Sequence, residues 1–531
     1  MSASDSPEPA RDVAALVAAA AADLPERLAV IESGGRGLTW AQLDDEVSGV
    51  AAGLGDLGIV AGHRVMLALG NRLEFVAGYL GVLRAQAVAV PVNPGSTAVE
   101  LAGLLADSGA RVVLADEESI EAVRGAVAAL PGEARTPRVV VVDEAPRPDE
   151  VPYADLVTAE ARPVPPLPDP EKLAVLLYTS GASGAPRGAM LSHRALLANA
   201  EQVAAVEPPL VGSDDVVLGL LPLFHVYGLN AVLGGVLRHR AKLVLTERFD
   251  PEGTLDLIED EACSVVPVAP PVLAHWLGVE GLAERLGPVR LVLSGSAPLS
   301  AEMVEAFEAG ARVPVHQGYG LTEAAPVVTT TLHSDAAKAG SVGTALAGIE
   351  IRLVDEYGRP RAAADHDDPG EIQIRGENLF SGYWPDGAEA PGDEGWWSTG
   401  DVGFLDAEGD LYLVDRVKDL VIVSGFNVYP IEVESVIADV EGVRAAAVVG
   451  VPDAGTGEAV VAYVVPDAGI DDPAAADLLE AIRARCEERL AGFKRPARVE
   501  LVEALPRTVT GKIRKGVLRG IARRRAGGLV G

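Results

Sequence analysis

The residues best suited to chemistry stand in short polar islands between apolar runs. YTSGASGAPRG, Tyr178 to Gly188, gathers Gly181, Gly184 and Gly188 with Thr179, Ser180, Ser183 and one cation, Arg187. Backbone amides of a glycine-rich turn favour an anion and hydroxyls add donors, so phosphate is the expected ligand; a plain connector is the alternative. The kinase-type loop G-x-x-x-x-G-K-[ST] is excluded, because Pro186 stands five residues after Gly181 and Ala189 follows Gly188. QGYGLTE sets Gly318, Tyr319 and Gly320 before Thr322 and Glu323. Glu323 suits a hard cation such as Mg2+, which takes only one or two carboxylates besides phosphate oxygens; an ordinary helix-start Thr-Glu pair is the alternative. WWSTGDVG places Asp401 after a turn, where it could accept from both hydroxyls of a ribose or satisfy its own backbone. His225, in LPLFHVYGLN, stands among apolar residues as a core histidine does. Lys418 and Lys512 are two of seven lysines against thirty-seven arginines. A lysine is a compact charge on a flexible stem, able to reach into a site and leave it, although either one could simply be solvated. No Ser-His-Asp order and no metal-ligand spacing is present.

These islands need elements to hold them. LAVLLY (Leu173 to Tyr178) reads as a buried strand and MLSHRALLANAEQVAAV (Met190 to Val206) as a helix capped by Ser192, so the glycine-rich stretch is expected to join strand to helix. Between about residues 10 and 170, strand-like HRVMLAL, AVAVPVNP, ARVVLAD and RVVVVDE alternate with helix-like stretches such as LEFVAGYLGVLRA, which implies βα units and a largely parallel sheet. DVVLGLLPLFHVYGLN, AKLVLTE, CSVVPVAPP and VRLVLSGSAPLS each run from an apolar strand into a loop, and ligands of such sheets gather at the carboxyl ends of strands. After Gly340, shorter strands with acidic turns suggest antiparallel hairpins. A domain boundary is expected near Val417, dividing a large α/β domain (1–416) from a small α+β domain (417–531) whose helix runs from Asp477 to Leu490.

Bulk properties narrow the classes. At 531 residues more than one core is expected, and 49% hydrophobic with 23% charged residues is a globular composition. A net charge of −33 argues against nucleic acid and anionic lipid as partners, since both reward basic patches. The N-terminal segment lacks the cationic start of a signal peptide, no apolar run is long enough for an integral membrane segment, and Cys263 and Cys486 offer no disulfide framework, so a cytoplasmic location is expected.

Taken in order, YTSGASGAPRGAMLSH, PLFHVYGLN, SGSAPLS, QGYGLTE, GEIQIRGENLFSGYW, WWSTGD, DRVKDLVIVSGFNVYPIEVE and LPRTVTGKIRK resemble the adenylate-forming superfamily of acyl-CoA synthetases, aryl-CoA ligases, luciferases and peptide-synthetase adenylation domains. The resemblance runs nearly end to end. It implies βα subdomains with a small barrel-like β region in the large domain, a mobile C-terminal domain, and ATP, Mg2+ and coenzyme A as cofactors. By resemblance, Thr179, Ser180, Gly181, Ser183, Gly184 and Arg187 would surround the β- and γ-phosphates, with Thr322 at the α-phosphate and Glu323 on Mg2+. Gly295, Ser296, Ala297, Gly318, Tyr319 and Gly320 would enclose the adenine, and Asp401 and Arg416 the ribose. Lys512 would bridge carboxylate and nucleotide, and Lys418 would be the hinge that later brings Gly425 and Phe426 to the coenzyme A side. Val226, Tyr227, Gly228 and Leu229 would line the acyl pocket, with His225 between pocket and thiol channel. Two departures stand out: Ala182, Ser183 and Arg187 replace two threonines and a lysine, and Gln86 replaces a glycine.

The motifs look most like those of bacterial fatty acyl-CoA ligases, and Val226 to Val236 carries no charged side chain, which suits an apolar acid better than an amino acid. The expected activity is therefore conversion of a medium- or long-chain fatty acid to acyl-AMP and then acyl-CoA. An aryl-acid (coumarate- or benzoate-type) CoA ligase, an acyl-AMP ligase loading a carrier protein, and an inactive nucleotide-binding homologue are the alternatives. The oligomeric state stays open between monomer and homodimer.

Overall fold

The computed structural model describes residues 11–132, 136–157, 167, 169–180, 186–296, 299–334, 338, 340–355, 357–361, 369–416, 419, 421–423, 426–453, 456–467, 474–490, 492–508 and 511–526. The chain forms two compact units, one of residues 1–181, 186–350 and 375–396, the other of residues 182–185, 351–374 and 397–531. Packing therefore divides the chain earlier than Val417, because residues 351–374 and 397–416 group with the C-terminal residues.

The first unit contains two seven-stranded sheets. One runs in the order Val315–Gln317, Leu291–Ser294, Val265–Val268, Val216–Gly219, Lys242–Leu245, Leu28–Glu32 and Gly37–Thr39. The other runs Val151–Pro152, Arg138–Val141, Val112–Ala115, Arg64–Ala68, Val88–Pro91, Leu173–Ser180 and Pro186–Ser192. Each is parallel except for its last strand. Parallel strands are covered on both faces, which is why they read as continuous Val/Leu runs. Trp276, Phe307, Leu273 and Val266 fill the core against the first sheet, and Met66, Val90, Val113 and Leu176 the core against the second.

One expectation fails at the glycine-rich stretch. Pro186–Ser192 is a strand, antiparallel to Leu173–Ser180, with Thr179 opposite Arg187. The helix begins only at His193, where Ser192 does cap it: Ala195 N donates to Ser192 Oγ at 3.2 Å. The residue that follows position 185 thus opens a strand and not a helix. The cause is long-range. Trp384 N donates to Gly188 O at 2.8 Å, Met190 N to Gly382 O at 3.1 Å and Ser381 N to Met190 O at 2.9 Å, so the strand is paired on its second side by residues nearly two hundred positions away. Gly188 permits the close packing, since a methyl group there would stand 2.7 Å from Leu176 Cδ1.

Gln86 also becomes interpretable. It follows the helix Leu73–Arg84 with φ of 57°, the left-handed region that glycine enters without steric cost. Its carbonyl accepts from Gly62 N at 2.9 Å, which holds the turn despite the side chain.

In the second unit, Glu350–Val354, Gly370–Arg375, Trp397–Leu405 and Leu411–Arg416 form a four-stranded sheet in chain order, the last three antiparallel as expected after Gly340. A second sheet pairs Gly457–Pro466 with Val443–Asp453, Val421–Val423 and Arg498–Leu501. Successive residues of a strand face opposite ways. Val448 accordingly packs with Val433, Ile437 and Ile482, whereas Val449 packs with Tyr463, Leu518 and Ala522. The helix expected from Asp477 to Leu490 is found as Ala474–Arg489. Among the described residues, no helix is long and apolar enough to cross a membrane.

Candidate active site

Leu291–Ser294 and Val315–Gln317 are adjacent parallel strands with Ser294 opposite Gln317, so the loops that leave their carboxyl ends emerge side by side. One carries Gly295 and Ser296, the other Gly318, Tyr319 and Gly320, and the register brings together the residues expected around an adenine. Ser296 holds φ of 74°, and the Ser294 hydroxyl is buried with no hydrogen-bond partner among the described residues. Tyr319 is fixed at both backbone ends, its N–H donating to Thr329 Oγ1 at 3.1 Å and its carbonyl accepting from Val328 N at 2.9 Å. Ala297 lies outside the described residues.

Of the acyl-pocket candidates, Tyr227, Gly228 and Leu229 lie on a π-helix, Tyr227–Gly234, and Val226 immediately precedes it. His225 O accepts from Leu229 N at 2.9 Å, and His225 Nδ1 from Tyr227 N at 3.4 Å. Val226 and Leu229 are buried. The Tyr227 ring reaches the adenine loop: a methyl group on Gly295 would stand 2.8 Å from Tyr227 Cε1. Burial pushes the Tyr227 phenol well above its ordinary value, so it stays neutral. Gly228 is the second residue of the π-helix and is buried.

Thr322–Ala324 form a single 3₁₀ turn after Gly320, and Glu323 is buried within it. Phe380 N donates to Glu323 O at 2.9 Å, and the Tyr383 hydroxyl donates to Glu323 Oε1 at 2.5 Å. Burial first, then the Glu323 charge, pushes the Tyr383 hydroxyl well up, so it remains a donor. The opposite resource of this ring is its face: the Arg187 guanidinium stands over it at 3.5 Å from the centroid. Arg187 also pairs with Glu389 at 2.8 Å. Glu323 Oε2 has no hydrogen-bond partner among the described residues, which leaves one carboxylate oxygen for a hard cation. That donor set fits Mg2+ beside nucleotide phosphates.

Sequence reasoning missed what holds this turn. Asn378 Nδ2 donates to Ala324 O at 2.7 Å, Asn230 Nδ2 to Ala325 O at 2.7 Å, and Asn199 Nδ2 to Val327 O at 2.7 Å while its Oδ1 accepts from Val327 N at 3.0 Å. Asn230 also donates to Leu196 O at 3.0 Å, tying the π-helix to the helix His193–Ala204. The quoted motifs PLFHVYGLN and GENLFSGYW contain Asn230 and Asn378, and so held the signal unread; Asn199 carried none.

Thr179 Oγ1 donates to Arg187 O at 3.4 Å across the hairpin. Ser180 ends its strand, and Gly181, Ser183 and Gly184 lie outside the described residues. In the second unit, Asp401 is buried and is the register partner of Arg416, which makes the two ribose candidates backbone neighbours. Asp401 N donates to Thr399 Oγ1 at 3.0 Å. Lys512 is exposed on a tight turn, its N–H donating to Thr508 Oγ1 at 3.1 Å and its carbonyl accepting from Thr508 N at 2.8 Å. Phe426 opens the strand Phe426–Val428, and Lys418 and Gly425 lie outside the described residues.

Paired loops at the carboxyl ends of parallel strands, a buried carboxylate and a guanidinium stacked beside it make an arrangement able to hold an anionic ligand together with a cation. Residues 17–384 match the AMP-binding enzyme family and residues 432–512 the AMP-binding enzyme C-terminal domain, and the chain belongs to that family. It is similar to 4-coumarate-CoA ligase 1 of Narcissus pseudonarcissus, 33% identical with 91% of this chain and 88% of that protein covered. Among solved structures it is similar to ATP-bound MatB from Rhodopseudomonas palustris (TM-score 0.85, 32% identity, 96% of this chain and 99% of that one). It is also similar to a Mycobacterium tuberculosis fatty acyl CoA synthetase (TM-score 0.76, 31% identity, 96% and 98% covered). The protein is an ATP-dependent acid–thiol ligase that uses coenzyme A.

Proposed function

We propose that the acid is aromatic, an arylpropenoic acid of the coumarate type, which revises the fatty-acid expectation. What supports this reading is Tyr227: its neutral ring, set against Gly295, gives the uncharged wall of the π-helix a flat aromatic surface beside the adenine loop. The likeness to 4-coumarate-CoA ligases over 91% of the chain points the same way.

In the first step a carboxylate oxygen attacks the α-phosphorus, the bond from that phosphorus to the bridging oxygen of the β-phosphate breaks, and pyrophosphate leaves. Two anions must meet, so positive charge and positioning carry the catalysis. Glu323 would hold Mg2+, which supplies charge neutralisation at the phosphates. Arg187 adds a bidentate donor, Thr322 a hydroxyl, and Lys512 the charge that bridges carboxylate and nucleotide. Asp401 and Arg416 would take the ribose. In the second step the thiol sulfur of coenzyme A attacks the acyl carbon, the acyl–oxygen bond breaks and AMP leaves. Residues after Lys418 would rotate between steps, so that Lys512 departs and Gly425 and Phe426 face the thiol; the boundary near Val417 belongs to this movement.

An alkyl acid is the second reading, favoured by buried Val226, Leu229, Val232 and Leu233. Pyrophosphate release is measured with coumarate, cinnamate, benzoate, malonate and fatty acids from butyrate to palmitate, with and without coenzyme A. The expected result is the highest kcat/KM for an arylpropenoic acid, with acyl-CoA and AMP formed only when coenzyme A is present. A maximum among alkyl acids replaces the first reading by the second.

A further inference from the structure

The nucleotide site contains a side chain that none of its expected members accounts for. Tyr383 is buried, its hydroxyl is 2.5 Å from Glu323 Oε1, and its ring lies under Arg187 at 3.5 Å. Its backbone is equally fixed: Tyr383 N donates to Ala388 O at 2.9 Å, Gly387 N donates to Tyr383 O at 2.8 Å, and Phe380 stands edge-on to the ring at 5.0 Å. The neighbouring residues Ser381, Gly382 and Trp384 pair with Gly188 and Met190, so the ring and Arg187 are carried on two segments hydrogen-bonded to each other.

We infer that Tyr383 is a positioning residue that sets both charges of the nucleotide site, its hydroxyl orienting Glu323 toward the cation and its ring face holding the Arg187 guanidinium toward the phosphates. The inference rests on the nucleotide reading above. One carboxylate oxygen occupied by a hydroxyl directs the other outward, and a guanidinium stacked on a phenol keeps its N–H edge available for a planar, bidentate partner. Glu389 marks that edge, because its mostly exposed carboxylate pairs with Arg187 at 2.8 Å. A lysine has no plane to stack, so an arginine at position 187 and a tyrosine at position 383 form a matched pair.

The test uses the full chain with α,β-methylene-ATP, which binds without turnover. Mn2+ affinity in the ternary complex is read by electron paramagnetic resonance, and metal-free analogue affinity by calorimetry. Tyr383→Phe removes one oxygen and keeps the ring. It is expected to weaken Mn2+ binding about tenfold while leaving metal-free analogue affinity within about twofold of wild type. Tyr383→Leu is expected to weaken Mn2+ to the same degree and metal-free analogue binding by a further factor of about five. A purely structural tyrosine would lower the thermal midpoint in Tyr383→Phe and leave Mn2+ affinity unchanged, which overturns the inference. Equal metal-free affinities for the Phe and Leu variants overturn the part that concerns Arg187. Should Tyr383→Leu not fold, Arg187→Leu takes its place. It must cost the same in metal-free binding in the wild-type and Tyr383→Phe backgrounds, and unequal losses refute the stacking role. Failure of the wild-type protein to bind the analogue overturns the nucleotide reading and this inference together, whereas an unchanged Tyr383→Phe overturns the inference alone.

Discussion

Asn230 offers the sharpest mutational check on how the site is held. Its side-chain amide is buried at 3% exposure and donates to Ala325 O at 2.7 Å and Leu196 O at 3.0 Å. Asn230→Leu keeps the volume and removes both donors; Leu196 O keeps its partner within the helix His193–Ala204, whereas Ala325 O is left buried against a hydrocarbon. Stranding one buried acceptor costs about 1–3 kcal/mol, which is the expected loss. That is a large share of the margin that keeps a protein folded, roughly 5–15 kcal/mol. Because the chain has two compact units, urea unfolding is followed by tryptophan fluorescence, with Trp40 and Trp276 buried in the first unit reporting its transition. Ala325 is two residues from Glu323, so the same substitution should raise the MgATP requirement of pyrophosphate exchange about tenfold at temperatures where the unit stays folded. Asn230→Gln, whose longer amide can reach only one of the carbonyls, should fall between. A loss below about 0.5 kcal/mol with unchanged MgATP dependence would refute the idea that these amides hold the Glu323 turn.

Two more outcomes are expected. Lys512→Ala should slow adenylation by about a hundredfold or more while thioester formation from supplied acyl-adenylate stays within about threefold of wild type; equal loss in both half-reactions refutes the rotation of the C-terminal residues. His193 accepts from Val13 N at 3.2 Å, and burial pushes its imidazole down to about 4 against a smaller opposing pull from Asp12. From pH 6.5 to 4 the unfolded chain therefore binds more protons, stability falls with falling pH by up to about 3 kcal/mol, and His193→Gln should flatten that slope in thermal midpoints taken from pH 7.5 to 4.5; parallel slopes refute it.

Much of this was legible because it was local. Alternating apolar runs and loops foretold parallel sheets, Ser192 announced its helix, and SGSAPLS and QGYGLTE, though distant in sequence, meet because consecutive strands of a βα unit lie side by side. What was missed depended on distant partners. Pro186–Ser192 carries no strand signal of its own, with two glycine or proline residues in seven; it is a strand because Leu173–Ser180 flanks it on one side and residues 381–384 on the other. Asn199, Asn230 and Asn378 are ordinary amides in sequence and become a set only when Ala324, Ala325 and Val327 are placed among them. Gln86 shows the same limit at one residue: the missing glycine was visible, but its reason was a positive φ. The acid was least legible, because neutral walls admit alkyl and aryl groups alike.

A protein with net charge −33 must bind a highly anionic nucleotide, and the arrangement around Glu323 shows how the conflict is contained. Exposed charges farther apart than about 8 Å are largely screened at physiological ionic strength, so most of the acidic surface acts weakly on the site and the nearest groups decide. Those groups are few. Glu323 repels phosphate unless a cation intervenes, and Arg187 is the described cation that shares its tyrosine. On the inference drawn above, Tyr383 would hold the anion and the cation apart, its hydroxyl on Glu323 and its ring face under Arg187. Arg187 rests on Glu389, whose exposed carboxylate is solvated and easily surrendered, while Glu323 rests on a hydroxyl that takes no charge from it. On the proposed reading, the two charges would stay separate until a ligand carrying both phosphates and a metal took them up.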